Sequence, residues 1–343
     1  MRTIPTGLIG YGMAGSVFHA PLIAVDEGLH LAAIASSRTA DIARDFPESR
    51  AYATPQALID APDIELVVIA TPNDTHADLA RRALEAGKHV VVDKPFTLDS
   101  AEAEALIAVA ERHGRLLSVF QNRRWDGDFL TVKRFIEDGR LGEVYHYEAH
   151  FDRFRPEIKA GWREEPAPGA GVLYDLGAHL IDQALRIFGM PKALTADVMA
   201  QRAQAQVPDY FHLVLHYGRR RVVLHSSTLV REPGPRYIVH GDAGSFAKFG
   251  IDGQEAALKA GMRPAGDDWG RDRPEYFGRF VDNEGTEQIV ETLPGRYPEF
   301  YAGVAQAITE GGPLPVTARE ARDTIMLIEA AMRSAKEGRT VVI

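Results

Sequence analysis

The segment Tyr174–Gln183 reads YDLGAHLIDQ, with Asp175 and His179 four residues apart and Asp182 three residues further on. On a helix that spacing sets all three side chains on one face. A carboxylate, an imidazole and a second carboxylate on one face admit four readings: a metal site, a surface ion cluster, a proton-transfer site, or a satisfied core histidine. Zinc sites with histidine ligands usually gather two or three His or Cys groups, and this face offers one. Charges at this spacing are common on solvated faces, yet the neighbours Leu173, Leu176, Leu180, Ile181 and Leu185 are apolar. A histidine suits proton transfer because its ordinary pKa lies near working pH. Lys94, in VVVDKPFTL, is the second candidate, placed where an apolar strand ends. An ammonium there can hold a substrate oxygen and stabilise developing negative charge, although a lysine ending a strand is as readily plain surface.

A third signal is GLIGYGMAGSVFHAP, with Gly10, Gly12 and Gly15 in a G-x-G-x-x-G pattern after the first strand-like run and before a helix-like one. The first glycine permits the tight turn, the second lets backbone approach a pyrophosphate, and the third lets helix and strand pack closely. The helix N-terminus then offers free N–H groups and a favourable dipole to an anion. The end of the second strand separates the two nicotinamide cofactors. NAD-binding chains usually carry Asp or Glu there, bonding the ribose 2′-OH; this chain reads AAIASSRTAD, with Ser36, Ser37 and Arg38. Two hydroxyls and a guanidinium suit a 2′-phosphate, and Arg38 can stack on adenine. NADP(H) is therefore the expected cofactor, against the alternative of a plain surface turn with an N-capping serine.

The elements that must position these groups alternate at first. Segments 6–10, 29–35, 65–72, 88–95 and 115–120 read as strands, and 75–87 and 100–114 as helices that stop at Gly87 and Gly114. Continuous apolar strands alternating with helices predict a parallel sheet covered on both faces. Lys94 and the segment ATPNDTH (70–76) then lie at the C-terminal strand edge, where such sheets bind ligands. Beyond residue 120 a helix (126–138) leads into a long alternating strand (142–156), the helix of the opening motif, and several strand-like runs joined by YGRRR and EPGP, which predict an antiparallel sheet. Residues 250–297 are rich in Gly, Asp and Arg without clear periodicity and read as extended loops, and two helices follow. The expected fold is α/β: a Rossmann-type domain over 1–120, then an α+β domain with an open, mostly antiparallel sheet over 121–343. The last helices are free to pack back on the first domain.

The 343 residues are too many for one ordinary core. With 39 Lys and Arg against 48 Asp and Glu, a net charge of -9 disfavours a general nucleic-acid binder. The chain has no cysteine, which excludes disulfides, thiolate nucleophiles and Cys-ligated zinc. No signal-peptide pattern and no bilayer-length apolar run is evident, so a cytoplasmic location is the default expectation.

Taken together, the glycine loop, TPNDTH, DKP and the run GAGVLYDLGAHLIDQ resemble the Gfo/Idh/MocA oxidoreductase family over essentially the whole chain. HVVVDKPF and GAGVLYDLGAHLIDQ carry most of that resemblance. FQNRRWDGDF, HFDRFRPE and RYIVHG are further similar to the subgroup of NADP-dependent scyllo-inositol dehydrogenases and sugar reductases. Asp93 departs from the family's commoner Glu-Lys-Pro, a loss of one methylene that keeps the charge.

The resemblance implies hydride transfer between a nicotinamide and a secondary alcohol of a cyclitol or sugar, with Lys94, Asp175 and His179 as the catalytic set. His179 would be the acid/base, Asp175 a substrate-hydroxyl ligand, and Asp182 either an orienter of His179 or part of a polar network. Implied dinucleotide contacts are Gly10, Gly12, Met13, Ala14, Ser36, Ser37, Arg38, Thr71, Asn73, His76, Asp93, Lys94 and Gln121. Asn122, Arg123, Trp125, His150, Asp152, Arg153 and Arg155 are candidate substrate ligands, each taken singly more readily read as one face of a solvated sheet. No metal is expected, nor a membrane or nucleic-acid partner. A homodimer or homotetramer through the second-domain sheet is implied. A dicarbonyl or anhydro-sugar reductase, a dihydrodiol dehydrogenase and a non-enzymatic NADP-binding regulator are the alternatives. The two arginines leave a sugar acid or sugar phosphate open as substrate.

Overall fold

The computed structural model describes residues 2–158, 164–266 and 268–343, and the chain divides into two compact units. The first comprises residues 1–122, 254–269 and 296–322; the second comprises 123–253, 270–295 and 323–343.

In the first unit six strands, β1 (Ile4–Ile9), β2 (Leu29–Ala35), β3 (Arg50–Tyr52), β4 (Leu66–Ile69), β5 (His89–Val92) and β6 (Leu117–Val119), form a sheet in the order β3-β2-β1-β4-β5-β6. All five pairings are parallel. Every residue of β4 is buried, as are Val90, Val91 and Val92 of β5, the outcome for continuous Val/Ile/Leu runs covered on both faces. The helix Ser100–His113 shows how locally the sequence sets its own limits. Asp99 caps it by accepting the Glu102 N–H at 2.8 Å, and Glu102 accepts the Leu98 N–H at 3.2 Å. It ends at Gly114, whose φ of 58° lies in the left-handed region that glycine adopts without penalty. The segment 296–322 returns to this unit: Ser118 Oγ donates to Val316 O at 2.6 Å, and His19 Nδ1 lies 2.6 Å from the Tyr301 hydroxyl.

The second unit contains β7 (Val144–His150), β8 (Ala193–Met199), β9 (Tyr210–Tyr217), β10 (Arg220–Ser227), β11 (Tyr237–Gly241), β12 (Gly244–Lys248), β13 (Gly278–Asp282), β14 (Glu287–Val290) and β15 (Val341–Val342). Their order is β14-β13-β12-β11-β7-β10-β9-β8-β15. β7 and β10 pair in parallel and all other neighbours are antiparallel. One face is closed: Tyr147, Ala149, Phe211, Leu213, Leu215, Leu224, Tyr237 and Val239 are fully buried. Alternate residues such as His146, Glu148, His150, His212 and Val214 stay half-exposed on the other face.

One sequence expectation is overturned. Within 250–297, read as loops, lie a helix at Gln254–Lys259 and the strands β13 and β14. β14 (EQIV) is a largely exposed edge strand, so it carries no apolar alternation that a periodicity reading could detect.

Candidate active site

The glycine loop opens into a widened π turn, Ala14–His19, before the short helix Ala20–Ala24. Gly10 has φ 99°, and a Cβ there would fall 2.4 Å from Ala70 O. A Cβ on Gly15 would fall 2.1 Å from Gly10 O. Gly12 has open space where its side chain would be. Two glycines thus allow close packing, while the middle one leaves a bare backbone facing an open approach, the cradle a pyrophosphate needs. Met13 is exposed and Ala14 half-exposed beside it. At the end of β2, Ser36 N–H donates to Tyr52 O and Ser36 Oγ accepts the Arg38 N–H at 3.2 Å. Ser37 and Arg38 are exposed. Among these three residues there is no carboxylate, so the turn fits a phosphate better than a ribose hydroxyl.

The ends of β4 and β5 are clipped together by buried His76. Its Nε2 lies 3.0 Å from Thr71 O and its Nδ1 lies 3.0 Å from Pro95 O. Thr71 and Thr75 hydroxyls meet at 2.6 Å, and Asn73 is buried in the same turn. Asp93 accepts the Lys94 N–H at 2.8 Å, and its Oδ1 lies 3.5 Å from His19 Nε2. Burial pushes the Asp93 carboxyl up, but contact with His19 and the charges of Lys94 and His76 outweigh it and hold it below the usual carboxylate range. Asp93 is therefore an anion beside Lys94. The Lys94–Pro95 peptide is cis. Gln121 and Asn122 are buried just beyond β6.

In the second unit the opening motif is two geometries in succession. Leu173–Gly177 is a π turn, in which the Ala178 N–H reaches Leu173 O, and Ala178–Phe188 is an α-helix. Single-face placement, as read for a regular helix, therefore does not describe Asp175, which lies in the widened turn. Such π turns are frequent at functional sites. His179 is 4 % exposed and Asp182 1 % exposed, which removes the surface-ion reading. Asp182 accepts two hydrogen bonds from Arg124, Nε to Oδ2 at 2.8 Å and Nη2 to Oδ1 at 2.7 Å. Gln183 donates to Arg123 O at 2.7 Å and accepts from the Tyr237 hydroxyl at 2.9 Å. These ties fix the rotation of the helix carrying His179 against its surroundings.

Asp175 opens on a small cavity of about 60 Å³ shared with Arg153, Arg155, Arg202, Asp209 and Ser227. Arg202 is paired with Asp209 at 2.7 Å and with Glu164 at 2.6 Å, and Arg153 and Arg155 are further cationic side chains in the cavity wall. Arg123, Arg153 and Arg236 all stack on the Phe151 ring, 4.9, 4.9 and 4.1 Å from its centroid. Trp125 ends the 3₁₀ turn Asn122–Trp125. Asp152 does not line the cavity of Asp175; it lines a larger one of about 450 Å³ together with His150. The polar residues that sequence reasoning passed over are Gln183, beside Asp182 on the helix, and Arg124 and Tyr237, which are brought to Asp182 and Gln183 from 58 and 54 positions away in the chain and so leave no local signature.

A family model described as "Oxidoreductase family, NAD-binding Rossmann fold" (Gfo/Idh/MocA) matches residues 4–121, and its companion, "Oxidoreductase family, C-terminal alpha/beta domain", matches residues 133–343. The scyllo-inositol 2-dehydrogenase (NADP(+)) IolW of Bacillus subtilis is 46% identical over 344 residues, covering 99% of this chain and 96% of its own. The Escherichia coli oxidoreductase YdgJ is 49% identical, covering 99% of both. A solved structure, that of the oxidoreductase yvaA from Bacillus subtilis, superposes with a TM-score of 0.98 at 45% identity, covering 100% of this chain and 99% of that one.

Proposed function

The chain belongs to the Gfo/Idh/MocA oxidoreductase family, and from that premise we propose that it interconverts a secondary alcohol of a cyclitol, scyllo-inositol first, with the corresponding ketone, using NADP(H). The observation that carries this reading is the buried His179, held on a fixed helix one short step beyond Asp175, in a chain similar end to end to a scyllo-inositol 2-dehydrogenase. The absence of a carboxylate at Ser36–Arg38 supports the 2′-phosphorylated cofactor.

In this reading the bare backbone around Gly12, with Met13 and Ala14, holds the pyrophosphate. Ser36, Ser37 and Arg38 hold the 2′-phosphate, and Thr71, Asn73, His76 and Gln121 shape the nicotinamide end. When bound, NADP⁺ supplies the hydride acceptor at nicotinamide C4. His179 takes the hydroxyl proton as the C–H bond breaks and returns it in the reverse direction. Lys94 steadies the reacting oxygen as negative charge grows on it, and anionic Asp93 keeps Lys94 in place. Asp175 accepts a hydrogen bond from a neighbouring substrate hydroxyl. Asn122, Arg123, Trp125 and Arg153 are the candidate ligands for the remaining hydroxyls; Asp152, which lines a different cavity from Asp175, is not among them. Asp182 belongs to the scaffold, through Arg124. The protein is expected to work as a homo-oligomer built on the half-exposed sheet face.

Purified protein with NADP⁺ or NAD⁺ and a panel of inositol isomers and sugars tests the proposal by absorbance of the reduced nicotinamide. Reduction with scyllo-inositol and NADP⁺, with little from NAD⁺, is the expected result. Silence with every polyol despite tight NADP⁺ binding would overturn the substrate assignment. The arginines beside Asp175 favour a second reading, a sugar acid, and turnover of aldonates alone would establish it.

A further inference from the structure

We propose that the second unit carries a binding site for a divalent first-row transition ion, formed by His150, Asp152 and His225 on the half-exposed face of its sheet. One ligand atom from each lies within 4.8 Å of the others. His225 stands directly across the parallel β7–β10 pairing from His150, and Asp152 follows two residues after His150, so all three side chains share one face.

The distances distinguish a cation site from an ordinary hydrogen-bonded cluster. His150 Nδ1 lies 3.4 Å from Asp152 Oδ2, and His225 Nε2 lies 3.4 Å from Asp152 Oδ1. Both exceed the usual N–H···O range of about 2.7–3.2 Å. Ligand atoms about 2.0–2.1 Å from a tetrahedral ion stand about 3.3–3.4 Å from one another; each separation is of that size, but the two fall on different Asp152 oxygens, so the carboxylate would either bind an ion through both oxygens or turn to present one. Two imidazoles and a carboxylate are the donor set of borderline divalent ions rather than of calcium or magnesium.

The surroundings supply what a metal site needs beyond its ligands. Asp152 Oδ1 is held by the Ser227 N–H at 2.9 Å, which fixes the carboxylate. His150 presents its far nitrogen, Nε2, to Glu148 Oε2 at 3.1 Å. A carboxylate behind a ligating histidine fixes its tautomer and raises its basicity. His225 turns Nε2 toward Asp152, while its far nitrogen, Nδ1, has no hydrogen-bond partner among the described residues, so this ring lacks the backing that Glu148 gives His150. Glu148 and Asp152 together offset the charge of a dication. The cavity of about 450 Å³ lined by His150, Asp152, Phe249 and Tyr276 opens beside two of the three ligands.

The test is calorimetric titration of chelator-treated, full-length protein with Zn²⁺, repeated with Co²⁺ while its visible ligand-field bands are followed. Saturation at one ion per chain is expected. His150→Asn and His225→Asn should each weaken binding at least about tenfold, whereas His212→Asn, on the neighbouring strand, should not. Affinity unchanged in both ligand variants, or no saturable binding, would overturn the proposal. A measurement on the parent protein makes the conclusion independent of how the variants fold: anomalous scattering from a Zn²⁺-soaked crystal should place the ion between His150, Asp152 and His225. Zinc found only elsewhere would sink the site.

Discussion

At the scale of single residues, the proposed chemistry separates cleanly into turnover and recognition. His179→Ala should leave NADP(H) binding, followed by nucleotide fluorescence, unaltered while turnover drops about 10²–10⁴-fold, the usual contribution of a positioned acid/base. Near-normal kcat would move the proton to another group. Arg38→Ala should lower the NADP⁺-over-NAD⁺ preference in kcat/KM by about tenfold or more, the span of one charge-assisted hydrogen bond. An unchanged ratio would assign the turn to plain surface. The residues of these two predictions were legible in the sequence because their signal is local: a spacing within one turn of helix, and a missing carboxylate after a strand. Asp182 was legible only as a spacing. Its partner Arg124 lies 58 positions away, and nothing in the segment YDLGAHLIDQ announces it.

At the scale of elements, the helix Ala178–Phe188 depends on buried polar ties as well as on Leu180, Ile181 and Ala184, all fully buried. Asp182→Ala would remove the carboxylate that accepts two hydrogen bonds from the Arg124 guanidinium, 6 % exposed. Breaking one side of a buried ion pair costs about 3–5 kcal/mol, so the urea midpoint should fall with the slope unchanged. A variant as stable as the parent would mean that Arg124 finds another acceptor. In the first unit Leu29–Ala35 was readable to the residue and four further strands to within about three residues, because doubly covered strands are unbroken apolar runs; the largely exposed β3 (Arg50–Tyr52) was not read. The two π turns were not readable, since a register widened by one residue comes from packing against neighbours and not from composition. β13 and β14 escaped for the opposite reason. Edge strands shed the apolar pattern that would betray them.

At the scale of the whole molecule, the sheet face that carries His212 and His225 also brings Val214 of β9 directly against Val223 of β10. We expect this face to join copies of the chain. Light scattering after size exclusion should show a dimer or tetramer for the parent and a smaller species for Val214→Glu, which sets a charge amid that contact; a monomeric parent would refute the arrangement. The row formed by His150, His225 and His212 exists only through strand register, and no reading of the separate segments β7, β9 and β10 could have assembled it. The order in which the chain builds its units has a further consequence. The glycine loop leaves the ribosome long before Tyr301, which meets His19, and Val316, which receives the Ser118 hydroxyl. Domains generally fold as units during synthesis. Here the nucleotide-binding unit stays incomplete while residues 123–253 and 270–295 of the second unit are translated, so its sheet lacks contacts such as Ser118–Val316 throughout that interval, a window in which a chaperone can bind it.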